Sequence, residues 1–146
     1  EGGKIMVNNS YQQYKNTQIE TASQEKLLLM LYDGAIKFTK QAIKGIKEEN
    51  YELKNNALNR VQAILSEFQA TLDHDQDPEL TANLDALYDY MNRRLIEGNV
   101  ENNTDPIKEV LDMLKELRET WQQAANKIKK DKQEKKERGQ NISVEG

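Results

Sequence analysis

The chain contains no cysteine, which excludes disulfide staples, thiolate metal sites, cysteine nucleophiles and iron–sulfur clusters. Its one histidine, His74, rules out two-histidine metal sites and a di-iron bundle, which needs Glu-x-x-His on two helices. No apolar run approaches the roughly 20 residues of a membrane span, and the polar first 26 residues have no apolar signal-peptide core. Gly2-Gly3 is the only adjacent glycine pair, so no Gly-rich turn is available to cradle a phosphate. These absences point to a soluble protein of a reducing compartment, with no cofactor, no metal and no membrane insertion. With 146 residues it can bury about two-thirds of the surface of its unfolded chain as one domain.

Charge is plentiful but uneven. Residues 127–146 carry seven Lys/Arg against four Asp/Glu, and residues 1–126 carry fourteen against twenty-one. An acidic body repels nucleic acid, so only the tail could hold a phosphate backbone. From Lys127 to Lys136 that tail interleaves acids with bases and has no aromatic ring for base stacking. It reads as a solvated helix end, with its cations near the negative pole of the helix.

Both prolines stand at helix starts. Asp77-Pro78-Glu79 and Asp105-Pro106-Ile107 each pair an Asp N-cap with Pro at the first helical position. Thr21-Ala22-Ser23-Gln24-Glu25 offers a third start. Asn50, suited to the left-handed conformation, marks a break, and Gly98-Asn99 a stop. The predicted helices cover 24–49, 51–73, 78–98 and 105–135.

Each segment has helical periodicity and none alternates like a strand. The first gathers Leu27, Leu28, Leu31, Ala35, Phe38, Ala42 and Ile46 within an arc of about 100°. The second gathers Leu58, Val61, Leu65, Phe68 and Leu72; the third, Leu80, Leu84, Leu87, Tyr88, Met91 and Leu95. The fourth gathers Ile107, Val110, Leu111, Leu114, Leu117, Trp121, Ala125 and Ile128. Four such helices on mostly short links predict an all-α, antiparallel four-helix bundle over 21–130. Residues 1–20 are read as a flexible N-terminal segment, with Glu1–Ile5 an expression remnant before a natural Met6. Residues 131–146 are read as a polar, frayed or disordered tail.

There is more apolar surface than four seams require. Leu29, Tyr32, Ile36 and Ile43 form a second stripe on the first helix. Leu53, Ala57 and Ile64 flank the seam of the second, and Ala82, Ala86 and Tyr90 that of the third. Residues 1–20 or the long fourth helix could cover these stripes; alternatively they form a groove for a partner helix, whose anchors recur at i, i+3/i+4 and i+7. Asn8 to Glu20 is too polar to hold a helix alone, yet Tyr11 and Tyr14 would share a face if it became helical, which suits weak, reversible docking.

Catalytic and metal chemistry is not supported. His74 lies among Asp73, Asp75 and Asp77 in a loop, and these aspartates lack the glycine and closing glutamate of a calcium loop. Asp85, Asp89 and Glu97 share a helix face without a partner histidine. Gly34 inside the first helix costs about 1 kcal/mol against Ala, which suggests close approach of another helix. Arg93 can reach Asp89, and Arg94 the ring of Tyr90, at i, i+4.

Three stretches, Thr21-Ala22-Ser23-Gln24-Glu25-Lys26-Leu27-Leu28-Leu29-Met30-Leu31-Tyr32-Asp33-Gly34-Ala35, Asn83-Leu84-Asp85-Ala86-Leu87-Tyr88-Asp89-Tyr90-Met91-Asn92-Arg93-Arg94-Leu95 and Leu117-Arg118-Glu119-Thr120-Trp121, closely resemble the FliS family of bacterial flagellar secretion chaperones. The similarity runs from about Tyr11 to Ala125. Where the family commonly has Ser-Pro and Gly-Gly, this chain has Ser23-Gln24 and Asp77-Pro78; both swaps preserve a helix start. The resemblance implies a non-enzymatic chaperone in the cytosol of a flagellated bacterium, binding the disordered C-terminal segment of flagellin. Bound flagellin would be kept from polymerising early and held competent for export. The resemblance also implies an N-terminal lid displaced by flagellin, here carrying Tyr11, Tyr14 and Ile19, and leaves room for contacts with the export-gate machinery and for a weak homodimer. Leu29, Tyr32, Ile36, Ile43, Ala86 and Tyr90 are the expected groove residues, and Asp at Tyr32 or Ile36 is expected to weaken capture without loss of helicity. The rival readings are a self-associating structural bundle and a weak nucleic-acid binder acting through the basic tail.

Overall fold

In a computed structural model the backbone is described for residues 24–145 and the side chains for 24–139. The Thr21–Ser23 start and the lid residues Tyr11, Tyr14 and Ile19 lie outside the described residues. The described chain forms four helices and no strand: α1 (Gln24–Lys47), α2 (Tyr51–Thr71), α3 (Pro78–Glu101) and α4 (Thr104–Glu145). This is the expected all-α four-helix bundle, and none of these helices is long and apolar enough to cross a membrane. Residues 31–118 form one compact unit; 24–30 and 119–145 are the described part of a second.

The core of the 31–118 unit follows most of the periodic stripes. Leu58, Val61, Leu65 and Phe68 of α2, Tyr88, Met91 and Leu95 of α3, and Ile107, Val110 and Leu114 of α4 are all buried. On α1 the buried arc is rotated from the expected one. Tyr32, Ala35, Thr39 and Ala42 are fully enclosed, with Ile43 and Ile46 nearly so, while Leu31 and Phe38 are only half-buried. A hydrophobicity count misplaces this arc because Thr39 belongs to its centre. Its hydroxyl donates to Ala35 O at 2.7 Å, which satisfies the buried polar group within the helix itself. Phe38 is instead flanked by the Arg60 guanidinium, 4.9 Å from its ring centroid.

Two corners of this unit are built alike. At the end of α1, Asn50 N–H donates to Gly45 O (2.8 Å) and Glu49 N–H to Ile46 O (3.2 Å). At the end of α3, Asn103 N–H donates to Gly98 O (3.0 Å) and Asn102 N–H to Asn99 O (3.4 Å). Both are Schellman closures, with Glu49 (φ 56°) and Asn102 (φ 49°) in the left-handed region. The next asparagine then caps the following helix: Asn50 Oδ1 accepts from Leu53 N–H at 3.1 Å, and Asn103 Oδ1 from Asp105 N–H at 3.0 Å.

Three boundary expectations are corrected by these corners. Glu49, not Asn50, takes the left-handed turn. Asn103, not Asp105, caps α4. Gly98 does not stop α3, which runs on to Glu101; it sits inside the helix because a Cβ there would lie 2.6 Å from Ile107 Cγ1 and 2.9 Å from Asn103 O. Gly45 is the matching contact, its Cβ position 2.7 Å from Lys54 N and 2.9 Å from Asn50 O. Gly34, expected to mark close approach, meets only Ile64 Cδ1 at an ordinary 3.5 Å. The Asp77 cap is as expected, its carboxylate accepting from Leu80 N–H at 3.1 Å with Pro78 in the first turn. α4 continues past the expected end at 135 to Glu145.

Candidate functional site

The two Leu-Tyr-Asp stretches meet in the core. Tyr32 and Tyr88 hydroxyls are 2.8 Å apart, and the Phe68 ring packs between them, with centroids 4.4 Å from Tyr32 and 5.4 Å from Tyr88. Burial, reinforced by the bond to Tyr32, raises the Tyr88 phenol far above its ordinary value. The Tyr88 phenol therefore keeps its proton at neutral pH. Asp33, next to Tyr32, pairs with Arg118 of α4, whose second contact to the carboxylate is 3.4 Å. The residues that carry the family resemblance thus tie α1 to α3 and α4.

On the α2–α3 side, Gln69 Nε2 donates to Asp85 Oδ1 (2.9 Å) and Asp89 Oδ1 (2.8 Å), and Gln62 Nε2 to Asn92 Oδ1 (3.1 Å). Asp85 and Asp89 are consequently interhelical acceptors. Arg94 does not take up the expected position on Tyr90. It pairs with Glu97 and, through Nε at 2.9 Å, with Glu109, while the Tyr90 hydroxyl donates to the same Glu109 carboxylate. That bond raises the Tyr90 phenol, and it lowers the Glu109 carboxyl with further help from Arg94. His74 sits exposed in the α2–α3 link, where Asp73 Oδ1 accepts from Asp75 N–H at 3.1 Å. No group of three or more potential ligands capable of holding a metal ion occurs among the described residues.

The six expected groove residues separate by burial. Tyr32 is fully enclosed, and Leu29 and Ile43 are at 9% and 8% exposure; these three belong to the interior in this conformation. Ile36 is half-buried and Ala86 and Tyr90 are exposed. An Asp at Tyr32 would therefore strike the core, so only Ile36 remains suited to the surface substitution expected of both. The sequence reading missed Ile96 and Val100, 45% and 76% exposed. On α3 they stand beside Ala82 and Ala86 on one outward face, by helical spacing. A helix that stopped at Gly98 would leave Val100 off that face, whereas α3 runs on to Glu101.

The fold and its surface define a class: an all-α bundle that ties its helices with side-chain hydrogen bonds and leaves several large apolar side chains exposed, Ile96 and Val100 among them. Residues 7–128 match the family described as Flagellar protein FliS. The chain is 36% identical over 128 residues to the flagellar secretion chaperone FliS of Bacillus subtilis (strain 168), covering 88% of this chain and 95% of that one. It is 35% identical over 122 residues to the chaperone of the same name from Campylobacter jejuni, covering 83% and 95%. With its counterpart from Escherichia coli (strain K12) it shares 31% over 107 residues, covering 73% and 79%. The chain belongs to the FliS family, which is a family of flagellar export chaperones and not of enzymes.

Proposed function

We propose that this chaperone acts in the cytosol of a flagellated bacterium on flagellin, holding its C-terminal segment as helix against exposed apolar surface until export. The observation that carries this reading is the outward face of α3. There Ala82, Ala86, Ile96 and Val100 share one side of the helix, with Tyr90 at its margin, all exposed. A helical client presenting anchors at i, i+3/i+4 and i+7 matches such a face, and enclosing one valine-sized side chain contributes about 1.5–3 kcal/mol. Several such contacts are needed, because a disordered client loses conformational entropy on binding. Ala86, Tyr90 and Ile36 would touch the client directly, while the buried Tyr32 and Ile43 belong to the interior of the same 31–118 unit. In this reading Tyr11, Tyr14 and Ile19 form a lid that flagellin displaces, and the export-gate machinery receives the complex.

Co-purification tests it. Val100→Asp and Ala86→Asp, both on exposed positions, should lower capture of full-length flagellin at least tenfold while far-ultraviolet circular dichroism stays unchanged. Flagellin lacking its C-terminal segment should not be captured by the parent chain. Undiminished capture of that truncated flagellin would overturn the reading.

A further inference from the structure

A second surface, in the 24–30/119–145 unit, has different chemistry. A cleft of about 500 Å³ opens there, with Leu29, Ala125 and Ile128 as its apolar lining and Lys26, Lys129 and Lys132 among its polar residues. Along α4 the stripe Trp121, Ala125, Ile128 has Lys132 as its next member by helical spacing, so one face changes from apolar to cationic. Ile128 is 41% exposed. Among the described residues none of the three lysines has a carboxylate partner within 4 Å, and the one acid lining the cleft is Glu25.

We propose that this cleft is a docking site for an acidic amphipathic helix of a partner protein, distinct from the client surface on α3. Leucine-sized anchors would cover Leu29, Ala125 and Ile128, and flanking carboxylates would meet Lys26, Lys129 and Lys132. Charge complementarity selects this occupant. The chain's own residues 1–20 hold two Lys and two Glu, so they offer no net charge to the lysine rim. A nucleic-acid strand would leave the apolar lining unused, and among the described residues that line the cleft none is aromatic and able to stack on a base. Complementary rim charges act on selectivity and encounter more than on raw affinity, so selectivity is the quantity to measure.

The experiment titrates the full chain with a helical peptide of about 18 residues carrying leucines at i, i+4 and i+7 and glutamates beside them. A twin peptide has lysine at each glutamate position. Emission of Trp121, the chain's single tryptophan and part of the same unit, reports binding. The glutamate peptide should bind at least about tenfold tighter than its twin, less so at high salt. Lys129→Glu with Lys132→Glu, both exposed, should abolish that preference without loss of helicity or of flagellin capture. Equal binding of the two peptides, or a preference that survives charge reversal, would overturn the proposal. So would displacement of the peptide by a peptide of residues 8–20, by single-stranded RNA or by the flagellin C-terminal segment. Because flagellin capture is measured separately, its failure would bear on the client reading and leave this one standing.

Discussion

Tyr32 shows how much a single residue can hide from pattern reading. Its hydroxyl and that of Tyr88 lie in the core of the 31–118 unit and bond to each other. Tyr32→Phe deprives the buried Tyr88 hydroxyl of this partner and should cost about 1–3 kcal/mol in urea unfolding, whereas adding Tyr88→Phe should recover part of the loss. The pH dependence has a definite sign. The Tyr88 phenol is raised in the folded chain, so its contribution is complete below the ordinary phenol value of about 10. Above that pH the unfolded chain releases a proton that the folded one keeps, and stability falls by about 1.4 kcal/mol per pH unit for this group. Alkaline unfolding of the doubly substituted chain should be correspondingly less steep. The glycines separate in the same spirit. Gly45→Ala drives a Cβ into backbone of α2 and should destabilise by about 1–3 kcal/mol. Gly34→Ala meets only ordinary contact and should stabilise by about 0.5–1 kcal/mol, read as a shift in thermal midpoint.

Helix ends depend on atoms that composition does not reveal. The Asp77-Pro78 start was legible because cap and first-turn proline are both local signals. The other corners combine a left-handed residue, an asparagine serving the next helix, and a glycine placed for contact rather than for turning. Lys54 links the two corners: its Nζ donates to Asn99 O (3.3 Å) and Asn102 Oδ1 (2.6 Å) and lies 4.9 Å from the Tyr51 ring centroid. A buried lysine from the first turn of α2 thus closes the C-terminus of α3, where a cation is electrostatically favoured. Lys54→Met keeps most of the stem but removes those bonds, and should cost about 1–3 kcal/mol in chemical denaturation. Hydrogen exchange should quicken in the last turn of α3 before it quickens elsewhere in that helix.

At the scale of the molecule, the fully enclosed core residues among those described lie in the 31–118 unit, while the family match ends at 128. Truncation after Ile128 should therefore leave cooperative unfolding and flagellin capture close to those of the full chain, and should remove charge-selective binding at the lysine-rimmed cleft. Retained selectivity after truncation would place the acidic-helix site elsewhere. The two surfaces differ in the forces they use. Capture on α3 rests on apolar burial and should change little with salt, whereas the cleft's selectivity should weaken as salt screens its lysines.

The helical class, the four described helices and most of the buried positions on α2, α3 and α4 were determined by the sequence alone, because a periodicity of 3.6 is written directly in residue order. The family, too, was legible from short stretches such as Leu87-Tyr88-Asp89-Tyr90-Met91. Tertiary structure decided which arc of α1 faces inward, since Thr39 can be buried by bonding within its own helix while Phe38 stays at the margin under Arg60. It also decided that Tyr32 belongs to the core, that Gly98 is a contact, and that Ile96 and Val100 remain outside. In each case the outcome depends on what neighbouring helices place opposite a residue, and that partner is distant in the chain.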